Sequence, residues 1–353
     1  MNVLFVYYVP SGGVETLNRQ RCRVLREYGI SGHCLYYQWG AGMQNATDFP
    51  VYVTRDDIAL KHILDSGNYR AVVVTTDHAS FERLRLLGYA GKLILEIQGY
   101  GPKEVARAQL TSAVPVVNAH ASALLNPNTP HIAALFRELF PHIPQFHFNN
   151  CFDAGTFTYR LGAKPPNPIV AWMGRIEDNK NWREFLHIGH RLTDHYPDLQ
   201  LWMFEDPNIS IPGEREQFAR LIAELGLGQR LTVRANVPHA DMQHYLSAVG
   251  DSGGLLLSTS KVEGAPYGIL EAMSCRCPVL TTDSDGVSTS VYHNATGKFY
   301  VLGDIAHAVA EARALMDDAI LRENIRNAAQ QHVQAGFNQH LYAHHFIHML
   351  NSI

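Results

Sequence analysis

The chain has 353 residues, 46% of them hydrophobic and 18% charged, with 29 Lys and Arg against 33 Asp and Glu for a formal net charge of −4. That length exceeds one ordinary core and points to two domains, and the charge balance excludes a strong pull toward nucleic acid. No apolar run reaches membrane-spanning length, and the first residues lack a signal peptide's basic leader and cleavage site, so a cytoplasmic setting is expected.

Met1–Val9 reads as a first strand running into Pro10-Ser-Gly-Gly-Val-Glu15, and an amphipathic helix follows to about Tyr28, stopped by Gly29. Strand, Gly-Gly and helix in that order set backbone N–H groups at the top of a parallel sheet. The turn is not Gly-x-Gly-x-x-Gly, and no acid follows at dinucleotide spacing, so an NAD site is a weak reading. Arg19, Arg21, Arg23 and Arg26 make the helix basic, and a solvated face is expected for them. Through Gly162 there are 14 Lys and Arg against 12 Asp and Glu, a surplus of two that is too small to favour docking on an anionic membrane. Apolar segments follow at Gly32–Gln38, Val51–Thr54, Ala71–Thr75, Lys92–Gln98 and Val114–Asn118, with helical patterns at Ile58–Ser66 and Ser80–Leu87. This alternation predicts a doubly wound parallel sheet, whose ligands bind beyond the C-terminal strand ends. Three such ends are polar: Asp77-His78, Gln98-Gly-Tyr-Gly101 and Asn118-Ala-His120.

Lys164-Pro-Pro-Asn-Pro168 reads as a linker stiffened by proline, dividing residues 1–163 from a second domain at 164–340. The strand from Ile169 ends in Gly174-Arg175, and Lys180 follows five residues later. A forked guanidinium and a mobile ammonium at one strand end suit two phosphates; pairing with Glu177 and Asp178 is the bland alternative. Leu199–Phe204 and Leu231–Pro238 hold further strands. Gly253–Ser260 then reads as a buried strand, Lys261–Pro266 as a loop, the stretch to Arg276 as a helix with Pro266 in its first turn, and Pro278 as the start of another strand. At that helix start the N–H groups of Tyr267, Gly268 and Ile269 are expected to point at an anion. Glu263 in the loop and Glu271 on the helix flank this phosphate cradle, and carboxylates in such a place accept hydrogen bonds from hydroxyls. Phosphates together with many hydroxyls describe a nucleotide sugar. Asp283-Ser-Asp285 reads as a turn before Gly286. The last helices run from about Ile305, with a surface histidine cluster at His340, His344, His345 and His348. The five cysteines fit neither a disulfide framework nor a zinc spacing, and reduced thiols are expected.

Glu263-x7-Glu271 followed by Ala-Met-x4-Pro-Val resembles the family 4 retaining glycosyltransferases of the GT-B fold. Gly12-Gly13-Val-Glu15, Gly174-Arg175…Lys180 and Phe148–Phe157 resemble further segments of that family. The resemblance implies two Rossmann-like domains facing a central cleft, with a closing helix at 341–353 crossing back to the first. It assigns Glu263 to the sugar, Glu271 to the nucleotide ribose, and Arg175 and Lys180 to the diphosphate. It makes backbone near Asn236 and Val237 candidates for the base, places Gly13 by the diphosphate, and puts Gly12 and Gln98 on the acceptor side; His120, at one of the polar strand ends, is a further acceptor-side candidate. Departures are Gln98 for the usual histidine, Asn150 for a glycine, Ala265-Pro266 for Phe-Gly, and Arg276 where a helix-ending glycine is usual.

The reading is a retaining, metal-independent transfer of a sugar from a UDP- or GDP-linked sugar to a hydroxyl of a glycan, small-molecule or lipid-linked acceptor, with no cofactor. The alternatives are a sugar-nucleotide epimerase or phosphorylase of the same fold and a catalytically silent nucleotide-sugar-binding subunit.

Overall fold

Runs rich in valine and leucine form short central strands, and each is followed by a segment of helical period that covers the sheet. A computed structural model describes residues 1–209 and 211–353, with only the backbone of Pro212. The chain divides into two units, one of Met1–Asp153 with Phe337–Ile353 and one of Ala154–Gly336. The boundary thus falls at Asp153, ahead of the 163/164 division expected from the prolines.

The first unit contains β1 (Asn2–Tyr7), α1 (Gly12–Glu27), β2 (Ser31–Tyr36), β3 (Val51–Val53), α2 (Asp57–Gly67), β4 (Tyr69–Thr75) and α3 (Ser80–Leu86). It continues through β5 (Lys92–Glu96), α4 (Lys103–His120), β6 (Ala123–Asn126), α5 (Pro130–Leu139) and β7 (Gln145–His147). The seven strands are parallel in the order β3-β2-β1-β4-β5-β6-β7. Alternate residues of the central strands (Leu4, Val6, Val72, Val74, Leu93, Leu95) meet Leu60, Phe81, Leu84, Leu110 and Phe136 in one buried cluster. Phe5 points to the other face.

Two expectations fail here. Val114–Asn118 is not a strand but the last part of α4, whose buried residues Ala106, Leu110, Ala113 and Val117 recur at helical spacing even with Pro115 inside. His120 therefore closes a helix, on the sheet edge where β6 begins. That is opposite the edge where β5 ends before Gln98, so His120 leaves the acceptor side; its carbonyl accepts from Arg85 at 3.3 Å. Nor is α1 a solvated basic face. Arg21 is wholly buried, 2.8 Å from Glu96 and stacked 3.8 Å over Phe5, while Arg19 is buried against Glu15 at 3.1 Å. Only Arg23 and Arg26 reach outward, to the segment at Ala46–Asp48.

The second unit contains β8 (Ile169–Met173), α6 (Trp182–Thr193), β9 (Gln200–Glu205), α7 (Pro212–Glu224), β10 (Leu231–Ala235), α8 (His239–Asp251) and β11 (Leu255–Ser258). There follow α9 (Tyr267–Ser274), β12 (Val279–Thr282), β13 (Lys298–Tyr300), α10 (Ile305–Asp317) and α11 (Ala319–Gly336). Its six strands are parallel in the order β10-β9-β8-β11-β12-β13. Trp172, Leu201, Met203, Leu255, Leu257 and Leu280 pack there against Trp182, Phe185 and Leu315. The last helix, α12 (Gln339–Ser352), belongs to the first unit, where Phe346 meets Phe5 at 5.8 Å between ring centroids.

Candidate nucleotide-sugar site

In the second unit β8 and β11 lie side by side, and the chain leaves them in opposite directions across the sheet. Such a switch point is where open α/β sheets bind ligands, beyond the C-terminal strand ends. The loops there are Gly174–Asn181 after β8 and Thr259–Pro266 after β11. Side chains stitch the two together. The Thr259 hydroxyl, fully buried, accepts from Trp172 Nε1 at 3.1 Å and faces the carbonyls of Lys180 and Asn181 at 2.9 and 3.0 Å. Asn179 Nδ2 donates to the Val262 carbonyl at 3.1 Å, and the Lys261 N–H donates to the Asn179 carbonyl at 2.9 Å. The Glu263 carbonyl accepts from the Gly286 N–H at 2.9 Å, and a β-carbon on Gly286 would sit 1.9 Å from the Gly264 carbonyl oxygen, so only glycine permits this approach.

The stitching brings Lys180 and Glu263 into an ion pair with side chains 21% and 15% exposed, and Ser260 Oγ donates to the same carboxylate oxygen at 2.6 Å. Arg175 stands apart, half exposed and paired with Glu177 at 3.0 Å. Asp178 pairs with Lys261 at 2.8 Å. The bland pairing thus holds for Arg175, while Lys180 faces the loop glutamate.

At the start of α9 the expected fan of three N–H groups is reduced. Pro266 is the cap, one residue before the helix, and the Tyr267 and Ile269 N–H groups donate to the carbonyls of Ala265 and Pro266, each at 3.0 Å. Of the three, Gly268 alone keeps its N–H for a ligand. The shortfall follows from Ala265-Pro266, which tightens the entry into the helix. At the other end Arg276 takes a left-handed φ of 58°, as the absent glycine would have, and pairs with Glu323.

Glu271 is buried and lies 2.8 Å from His239 Nε2. His239 opens α8 directly after β10, and its ring lies 4.7 Å from that of Phe157. His239 is not among the residues expected at the site, and Phe157 enters there only as the end of the Phe148–Phe157 segment; the one signal for His239 is the Asn236-Val-Pro-His239 loop that follows β10 at the sheet edge already assigned to the base. Asn236 has a left-handed φ of 49° and its N–H donates to the Glu205 carbonyl at 2.9 Å, which takes that N–H, though not the rest of the Asn236–Val237 backbone, out of the candidate set.

In the first unit Gly12 begins α1 with φ +63° and open space where a β-carbon would stand, and Gly13 lies in the first turn. Gln98 follows β5 and is locked in a reciprocal amide pair. Its Nε2 donates to Asn150 Oδ1 at 3.1 Å, and Asn150 Nδ2 donates to Gln98 Oε1 at 2.7 Å. The two departures noted separately in the sequence are therefore one structural feature. The histidines of α12 are exposed, and among the described residues no three His, Cys, Asp or Glu side chains converge as metal ligands. Burial pushes the Cys277 thiol up to about 12, which keeps it protonated and a poor nucleophile.

Comparison with known proteins agrees with this fold. The crystal structure of Anabaena HepE in complex with UDP and glucose superposes over all of both chains at 17% identity with a TM-score of 0.82. The chain has the GT-B fold. Within this GT-B chain, residues 158–332, just under half, match the family described as glycosyl transferases group 1. Among curated proteins, D-inositol 3-phosphate glycosyltransferase 1 of Catenulispora acidiphila is 25% identical over 182 residues, covering 50% of this chain and 42% of that protein. The 2-deoxystreptamine N-acetyl-D-glucosaminyltransferase of Streptomyces fradiae is 24% identical over 177 residues, covering 47% and 38%. The GT-B chain thus spans about two fifths of the length of these relatives. Among its described residues no helix is long and apolar enough to cross a membrane.

Proposed function

We propose that the protein transfers a sugar from a UDP- or GDP-linked donor to an acceptor hydroxyl, with retention of anomeric configuration and without a metal. The observation that carries this is the convergence of Lys180, Ser260 and Glu263 at the second unit's switch point, with Glu271 and His239 completing the same strand edge. Ribose hydroxyls would donate to Glu271, and the Val237 backbone would meet the base. The sugar would donate to Glu263. Lys180, the Gly268 N–H and an Arg175 turned away from Glu177 would take the diphosphate. These groups act where charge builds, because breaking the bond from the sugar's anomeric carbon to the diphosphate leaves negative charge on phosphate oxygen. The new bond forms from that carbon to the acceptor oxygen, and the acceptor's proton passes to the departing diphosphate, so no side-chain base is required. The UDP and glucose held by the HepE structure favour a uridine donor. The first unit, with Gly12 and Gln98, would take the acceptor.

A thermal-shift screen against UDP, GDP and their sugars, followed by product analysis with the stabilising donor, tests the reading. Stabilisation by one nucleotide and a glycosylated acceptor are expected. An epimerised sugar nucleotide, a sugar 1-phosphate, or binding without turnover would replace the reading with an epimerase, a phosphorylase or a silent subunit.

A further inference from the structure

The first unit has a switch point of its own. β1 and β4 are neighbours, and the chain leaves them in opposite directions, so a ligand crevice belongs between the loops that follow them. The β1 loop supplies Gly12 with its left-handed turn. The β4 loop supplies Thr76, a β-branched residue at φ +67°, in a region such residues seldom occupy. Strain of this kind persists only when surrounding structure holds it. Here the Thr76 N–H donates to the Glu96 carbonyl at 2.8 Å, and the Tyr100 hydroxyl donates to the Thr76 carbonyl at 2.9 Å. The held turn presents Asp77. Ser80 Oγ donates to Asp77 Oδ2, and the Tyr37 hydroxyl lies 2.7 Å from that Ser80 oxygen. Among the described residues no cation pairs with Asp77, although Arg83, on the same helix as Ser80, is itself paired with Asp57.

We propose that Asp77 reads the acceptor, taking a hydrogen bond from a hydroxyl or ammonium group of a polyol or amino sugar. This rests on the first unit being the acceptor side. The nearest cation in this chain of contacts, Arg83, lies over the Tyr37 ring, 5.5 Å from its centroid. A carboxylate held in place without a directly paired cation repels a phosphate and attracts a hydrogen-bond donor, most of all a charged one. The class of acceptor that follows is an unphosphorylated polyhydroxy or amino compound.

The test uses the full chain as wild type and as Asp77→Asn, whose amide oxygen still accepts from Ser80. Saturation-transfer NMR with glucosamine and with glucose 6-phosphate reads the site without needing turnover. Expected are a clear glucosamine signal in the wild type, a signal at least about tenfold weaker in Asp77→Asn, and no competition by glucose 6-phosphate. A wild type without a glucosamine signal, an undiminished signal in Asp77→Asn, or a preference for glucose 6-phosphate would overturn the proposal. So would a fall in UDP affinity in Asp77→Asn, because it would place the effect on the donor side or on the fold. A wild type that binds glucosamine in this way but no nucleotide would sink the donor reading and leave this one standing.

Discussion

Glu263→Gln separates what Glu263 does for the free protein from what it does for the ligand. In the free protein the carboxylate holds Lys180, the cation assigned to the diphosphate, and any phosphate must draw the ammonium away. Glutamine keeps the shape and the hydrogen bond from Ser260 but removes the charge. A charge-assisted hydrogen bond is worth roughly 1.5–3 kcal/mol. With side chains 21% and 15% exposed the pair is only partly screened, which points to the lower end, about 1.5 kcal/mol. The variant should lose that much stability, lowering the melting temperature by roughly 3–6 °C for a unit of this size. Its UDP affinity should rise about tenfold, since Lys180 no longer has a competitor and a negative charge has left the site. Transfer should nonetheless fall by about a hundredfold, because the sugar loses its orienting carboxylate. Calorimetric titration of UDP into both forms is the deciding assay. Weaker UDP binding by Glu263→Gln would refute the idea that the two compete for Lys180.

Arg21→Met should destabilise the protein by about 3–5 kcal/mol in urea melts, since Glu96 is left charged and buried, and Arg21→Met with Glu96→Leu should recover most of it. Asn150→Gly and Gln98→Ala should be non-additive in stability by about 1 kcal/mol, the coupling of one amide pair; additive effects would mean the pair is incidental. Burial holds the His33 ring below the usual imidazole value, with Nδ1 at 2.8 Å from the Tyr69 hydroxyl. The folded state therefore resists protonation that the unfolded chain accepts. Stability is full above about pH 6.5 and falls as the pH drops through the depressed value. His33→Gln should flatten that part of the profile, and an unchanged pH dependence of melting would show that the loss comes from other groups.

What the sequence made legible was whatever lies in one continuous stretch. Residues 253–280 carry a strand, a loop, a helix and a second strand in order, so Glu263 and Glu271 could be placed on their elements before any contact was known. His239 could not, because its meeting with Glu271 depends on β10 and β11 being ordered around β8, and nothing local encodes that. The same limit explains the misread face of α1. Four arginines at near-alternate positions look solvated, yet Arg21 is buried because Glu96 on β5 and Tyr342 on α12 arrive from distant parts of the chain. Val114–Asn118 failed for a different reason. A valine-rich run reads as strand over five residues, and only the wider window from Ala106 to Val117 exposes its helical period. The weakened anion cradle was signalled by Pro266, but which N–H groups it would engage depended on the backbone path.

The central claim is that the second unit's switch point holds a nucleoside diphosphate through Glu271. The direct measurement is calorimetric titration of UDP and GDP into the wild type and Glu271→Ala. The account predicts that one nucleotide binds the wild type and that the variant loses about 1.5–3 kcal/mol of that affinity, as ribose hydroxyls lose a charged acceptor. Equal affinity in both proteins, or no binding of either nucleotide by the wild type, would contradict it.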